Sequence, residues 1–213
     1  SDVYKRQIMT DKQGGLWVGT KGNGLLHVKN YRDGVRASDV EVYSLDGKQP
    51  AVSYVRPERE LRIYAMRESR YRNGFWVGAA SPGLCYYSFG DGQLHSLAGT
   101  DAGVPVEGGN EVHSIVEEND SVLYLATSGE GLCKVVLDNG HGQLRIKSLK
   151  HYKFYYEQQE LNLYYSMVPQ GDSLLWLGSQ QRGLVRFNRK TEEYQVFSLS
   201  EICLLYTSPS PRD

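Results

Sequence analysis

Four times along the chain an aromatic residue is followed by an aliphatic and a small residue, and seven residues after each aromatic stands Gly-Leu. The copies are Trp17-Val18-Gly19-Thr20 to Gly24-Leu25, Trp76-Val77-Gly78-Ala79 to Gly83-Leu84, Tyr124-Leu125-Ala126-Thr127 to Gly131-Leu132, and Trp176-Leu177-Gly178-Ser179 to Gly183-Leu184. The aromatics lie 59, 48 and 52 residues apart, so a rigid motif is carried on connections of variable length. Such a repeat constrains the fold strongly. Each copy must be one supersecondary unit whose apolar faces are covered by its neighbours.

Short β-branched and aromatic runs flank every motif. Ile8-Met9, Ile63 to Met66, Val112 to Val116 and Tyr164 to Val168 precede it; Val42 to Leu45, Leu94 to Leu97, Ile146 to Leu149 and Tyr194 to Leu199 follow it. These read as strands separated by turn residues such as Arg72-Asn73-Gly74 and Asp91-Gly92. Each unit then holds four strands. A four-stranded meander cannot cover both its faces, and radial stacking of such sheets is a β-propeller. The expected fold is therefore all-β, a propeller fragment of about four four-stranded blades forming an open arc, with blades near 8–45, 60–98, 111–149 and 163–199. A bent sandwich or parallel β-solenoid competes, although solenoid repeats are usually shorter. The motif Trp is expected to fill the gap between blades, with the Gly two residues on admitting a neighbouring backbone. Tyr155 to Leu163 offers at most one short helical turn.

The two ends do not continue the pattern. One back-translation of Asp2 to Gln7, GATGTGTATAAGAGACAG, encodes Cys-Leu-Leu-Tyr-Thr when its opposite strand is read one base in, as in Cys203 to Thr207. This relation resembles an adapter translated at both ends of a sequencing read. Residues 1–7 and 203–213 are thus expected to be scars and 8–202 the biological fragment.

Gly15-Leu16-Trp17-Val18-Gly19-Thr20-Lys21-Gly22-Asn23-Gly24-Leu25 resembles the two-component regulator propeller repeat, and the copies at Trp76 and Trp176 are similar to it. The copy at Tyr124 departs, with Tyr124 and Ala126 where Trp and Gly are usual. The resemblance implies the extracytoplasmic sensor region of a bacterial membrane-bound hybrid histidine kinase, placed in the periplasm, with the parent anchored in the inner membrane and dimeric. It further implies that the remaining blades and the kinase lie elsewhere in the parent chain, and that the ligand is an oligosaccharide.

The residues themselves limit the chemistry. The net charge is −1 with both signs interspersed, which offers no basic face to nucleic acid or to an anionic membrane. Apolar runs such as Leu174 to Leu177 are far below the ~20 residues of a spanning helix. His27, His95, His113, His141 and His151 show no metal-ligand spacing, and no cofactor motif occurs. Cys85 and Cys133 hold equivalent places in adjacent units and are expected to be buried free thiols. Glu117-Glu118 and Glu192-Glu193 are the obvious carboxylate pairs; adjacent strand residues point to opposite faces, so solvated surface is the expectation for both. The fragment is read as non-catalytic.

Binding residues concentrate on loops held by a rigid scaffold. The connections between units and the loops within the motif should share one face, gathering Ser53 to Arg62, Thr100 to Asn110, Lys150 to Leu163, and Lys21, Asn23, Ser81, Glu130, Gln180 and Arg182. Tyr152, Tyr155, Tyr156, Gln180 and Arg182 are the candidate ligand-binding residues, because rings and amides together suit a sugar. Tyrosine equally suits protein interfaces, so a scaffold propeller outside signalling is the alternative.

Overall fold

The structure is a computed structural model that describes residues 5–29, 31–32, 34–53, 60–80, 82–97, 111–138, 140 and 144–198. Four antiparallel meanders follow one another. Blade 1 comprises β1 (Lys5–Thr10), β2 (Leu16–Gly22), β3 (Leu25–Val28) and β4 (Val40–Ser44), extended at its edge by β5 (Gly47–Pro50). Blade 2 comprises β6 (Leu61–Glu68), β7 (Gly74–Ala79), β8 (Leu84–Ser88) and β9 (Gln93–Ser96). Blade 3 comprises β10 (Glu111–Glu117), β11 (Val122–Ser128), β12 (Leu132–Asp138) and β13 (Arg145–Tyr152). A hairpin of β14 (Phe154–Tyr156) and β15 (Gln159–Leu161) leads to blade 4, made of β16 (Tyr164–Gln170), β17 (Leu174–Ser179), β18 (Gly183–Asn188) and β19 (Tyr194–Phe197).

The chain is thus an arc of propeller blades, as the repeat requires. The first strands β1, β6, β10 and β16 contact one another in turn, which places them around the axis. No strand of blade 4 pairs with blade 1 among the described residues. Strand β1 starts at Lys5, inside the segment expected to be a scar, and blade 3 runs on to Tyr152. Where a short helical turn was the most expected, β14 and β15 pair instead, with Phe154 and Leu161 as buried anchors and Glu157-Gln158 as a two-residue turn at φ 47° and 68°. Two consecutive left-handed residues define a type I′ turn, the turn whose twist suits a tight hairpin.

The motif side chains form the contacts between blades. Trp17 is 2% exposed and its ring lies 4.9 Å from Phe75 and 4.6 Å from Tyr87 of blade 2. Trp76 packs in one cluster with Ile115, Leu123 and Val135 of blade 3, and Tyr124 with Leu175, Leu177 and Phe187 of blade 4. Gly19 admits the neighbouring strand: a Cβ there would lie 2.6 Å from Ile63 Cγ2, and one on Gly78 would lie 2.5 Å from Val112 O. The glycines before the motif leucines, Gly24, Gly83, Gly131 and Gly183, all adopt left-handed φ between 74° and 108°. This turn brings the next strand back antiparallel and is open to Gly at little steric cost.

Each inner strand carries a bulge at the same register. The irregularities fall between Lys5 and Gln7, Ile63 and Ala65, Val112 and Ser114, and Tyr164 and Ser166. Arg6, Tyr64, His113 and Tyr165 are therefore the extra residues of four equivalent bulges.

Gly24 and Gly14 separate two costs. Both have left-handed φ, but a Cβ on Gly24 meets Tyr43 O whereas one on Gly14 meets nothing within 4 Å. Gly24→Ala is expected to lose about 2 to 3 kcal/mol in urea denaturation and Gly14→Ala only about 1 kcal/mol, the backbone cost alone.

Candidate functional site

Among the described residues, the connections into blades 2 and 4 meet the motif loops of blades 1, 3 and 4 at one end of the arc. Gly24 N–H donates to Leu61 O at 3.2 Å, Gly131 N–H to Asn162 O at 3.2 Å, and Gln180 N–H to Leu163 O at 3.1 Å. Three successive residues of the blade 4 loop then reach in different directions. Gln180 Oε1 accepts the Tyr165 hydroxyl at 3.0 Å. Gln181 accepts Asn162 N–H at 3.1 Å and donates to Glu160 O at 3.4 Å, pinning the connection. Arg182 donates to Gln159 Oε1 at 3.3 Å and its guanidinium lies 5.9 Å from the Tyr156 ring.

On the axial side, the bulged side chains form a continuous tract. The His113 ring lies 4.6 Å from Tyr64 and 4.5 Å from Tyr165, and its Nε2 is 3.2 Å from Glu111 Oε2. The Tyr64 hydroxyl donates to the same carboxylate. On the outer side stands the hairpin, where Tyr155 is 45% exposed and its hydroxyl bonds Glu160 at 3.4 Å. The blade 4 loop joins these two halves into one band of rings, amides and charges.

Of the candidate residues, Tyr155, Tyr156, Gln180 and Arg182 belong to this band. Tyr152 does not: it is buried on β13 and its hydroxyl donates to Glu192 Oε1 of blade 4 at 2.9 Å, a contact between blades. Ser81 and 98–110 lie outside the described residues. Glu111, Tyr64, His113 and Tyr165 were not among the candidate binding residues read from the sequence, whereas Gln159 lies in the gathered segment Lys150 to Leu163. For Tyr64, His113 and Tyr165 the available signal was their place 11 or 12 residues before the motif aromatic, where each inner strand bulges.

Of the carboxylates expected on solvated surface, Glu192 is exposed and Glu117 is not. Glu117 is buried and accepts the Trp76 indole N–H at 2.5 Å, the Ser69 hydroxyl at 2.6 Å and Arg70 N–H at 2.7 Å. Glu192 binds Lys150 at 2.6 Å as well as Tyr152. Glu117 satisfies donors that blade stacking would otherwise strip of water. Each motif Trp has such an acceptor. For Trp17 it is Asp11 at 2.6 Å and for Trp176 Gln170 at 2.7 Å, each six residues earlier. Glu118 holds that place before Tyr124 and pairs with Arg189 at 3.4 Å.

Cys133 Sγ lies 3.3 Å from His151 Nδ1, and Glu130 Oε2 lies 3.4 Å from the same nitrogen. A relay would need the two imidazole nitrogens to face different partners, and burial pushes the Cys133 thiol up to about 12. Among the described residues no group of three His, Cys, Asp or Glu side chains is placed to hold a metal ion, and no helix is long and apolar enough to cross a membrane.

Comparison with known proteins agrees with this architecture. Residues 1–22 match the family model described as two component regulator propeller. Its fold is similar to the extracellular domain of BT3049, assigned as a hybrid two component system of B. thetaiotaomicron, with a TM-score of 0.64 and 20% identity over 92% of this chain and 24% of that one. It is also similar to the extracellular domain of BT4673 from the same organism, assigned as a one component system, with a TM-score of 0.51 and 18% identity over 91% of this chain and 28% of that one. The chain spans about a quarter of the length of these structures. No curated protein matches it in sequence.

Burial also lifts the Cys85 thiol to about 12, so neither Cys85 nor Cys133 is expected to react with a thiol reagent at pH 8 until the protein is unfolded. Tyr124→Trp restores the repeat's indole beside Glu118 and is expected to raise stability by about 1 kcal/mol in urea denaturation. A loss would show that blade 3 is shaped for the phenol.

Proposed function

We propose that the chain is part of the periplasmic, ligand-sensing propeller of a membrane-bound hybrid histidine kinase, and that the sensed ligand is an oligosaccharide. The band from Tyr165 through Gln180 and Arg182 to the hairpin carries this reading. Sugar rings present apolar faces to aromatic side chains and hydroxyls to amides and charges, and both kinds of group alternate along the band. The fold shared with the extracellular domain of a hybrid two component system supports the setting.

The parent supplies the kinase, the membrane anchor and the remaining blades, and is dimeric. Blade 4 offers the surface for a further blade. Val168 is 62% and Leu184 39% exposed there, although the equivalent faces of blades 1 to 3 are covered by their successors.

Isothermal titration of the whole chain against a panel of neutral and acidic oligosaccharides tests the reading. Binding by at least one member is expected, with affinity lowered tenfold or more in Arg182→Ala and Tyr155→Ala. Absence of binding across the panel overturns it.

A further inference from the structure

The turn between the third and fourth strands follows the same course in blades 2 and 4. Gly92 N–H donates to Ser88 O at 2.9 Å and Glu192 N–H to Asn188 O at 2.8 Å, and their φ values are 67° and 61°. Phe89 N–H to Asn73 O likewise matches Arg189 N–H to Ser173 O. Gly92 and Glu192 thus hold one position of the repeat. So do Tyr43 and Tyr152, which pair with the motif leucines Leu25 and Leu132.

Between blades 3 and 4 that position is filled. Glu192 reaches back to the Tyr152 hydroxyl at 2.9 Å and to Lys150, whose ammonium lies 4.8 Å from the Tyr152 ring. Between blades 1 and 2 the same spot is Gly92, without a side chain. Lys48 lies 5.5 Å from the Tyr43 ring, and both take a carboxylate from within blade 1: Glu41 accepts Lys48 at 2.7 Å and the Tyr43 hydroxyl at 3.1 Å. Lys29 joins them at 2.7 Å. Partial burial works against the Glu41 charge, yet the hydrogen bonds from Lys29, Lys48 and Tyr43 hold its carboxyl down at about 2. The polar groups are settled inside blade 1, and the space that Glu192 fills elsewhere stays open. It is a cleft of about 470 Å³ walled by Tyr43, Asp46, Lys48, Asp91, Gly92 and Leu94. A second cleft of about 410 Å³ adjoins it, sharing Tyr43 and Lys48 and adding Lys29, His27 and Phe89.

We propose that this unplugged junction between blades 1 and 2 binds a neutral polyhydroxylated ring the size of one or two sugar units. The volumes lie in the range of small-ligand sites. Asp46 and Asp91 oppose an anion, and Glu41 matches the Lys29 and Lys48 charges in part; the aspartates and the remaining ammonium N–H groups offer acceptors and donors to hydroxyl groups. Aromatic Tyr43 and Phe89 complete the walls. The inference rests on the sugar-sensing reading for its ligand class, while its location, remote in sequence from the hairpin and the blade 4 loop, is independent of that band.

Titration and saturation-transfer NMR of the whole chain with glucose, galactose and xylose, and with glucuronate as the charged control, test it. At least one neutral sugar is expected to bind, and glucuronate more weakly. Gly92→Glu builds the plug of the blade 4 turn, where Glu192 shows that a glutamate adopts this φ; a Cβ at Gly92 lies 3.9 Å from the Tyr87 hydroxyl, an ordinary contact. This variant is expected to lower neutral-sugar affinity tenfold or more with an unchanged melting curve, and Lys48→Ala to lower it as well. If Gly92→Glu does not fold, Lys48→Ala decides. Oligosaccharide binding that Arg182→Ala abolishes, with monosaccharides either not bound or bound equally by the wild type and these variants, overturns the cleft and leaves the sensing reading standing. A chain that binds no sugar of any size overturns both.

Discussion

The closeness of one blade's second strand to the next blade's first strand is the constraint on which the arc depends. At Gly19 and Gly78 there is no room for a Cβ, so Ile63 and Val112 can settle against the sheet. That approach in turn seals the Trp17 and Trp76 rings from water. Burying an indole is worth several kcal/mol at about 25 cal/mol per Å², so each junction gains from one large ring laid beside one small residue. The cost is the indole N–H, which must find an acceptor in the dry gap. Asp11 and Glu117 supply it, and Glu117 does so from the following blade, fastening the junction with a buried hydrogen bond as well as by packing.

The repeat made the four blades legible because the features that define it are local. An aromatic, a small residue and a left-handed glycine are needed wherever this turn and this stacking recur. The acceptors were not legible. Glu117 looks like any exposed acid beside Glu118 until the sheet places it under Trp76 of another blade, 41 residues earlier. The same holds for Tyr152, whose ring composition suited a ligand but whose hydroxyl is taken by Glu192. At the candidate site, Arg182 and Gln180 could be found because they sit inside the motif loop. Tyr64, His113 and Tyr165 could not be ranked above their neighbours by alternation, since a bulge breaks the period on which alternation rests. The hairpin escaped notice because its turn uses Glu157 and Gln158 in a conformation that Asn and Gly favour.

Within this frame the repeat varies its chemistry at fixed addresses. The residue paired with the motif aromatic across the sheet is His27, Tyr86, Lys134 and Arg186 in turn. Each lies near its ring: His27 is stacked 4.2 Å from Trp17, Tyr86 is 4.9 Å from Trp76, and the Lys134 and Arg186 cations are 5.7 and 6.0 Å from theirs. A flat ring accepts another ring or a cation with similar geometry, so the position tolerates this range without disturbing the stack.

The inner-strand bulges extend that tolerance to the axis. In a regular strand, exchanging one side chain for a larger one disturbs either the blade ahead or the blade behind. Here the extra residue of each bulge stands outside the ladder, while Ile63 and Val112 beside it carry the contact between blades. Tyr64, His113 and Tyr165 hold this place in blades 2, 3 and 4. The tract can thus change from Tyr to His between blades while the bulge and the ladder beside it are kept.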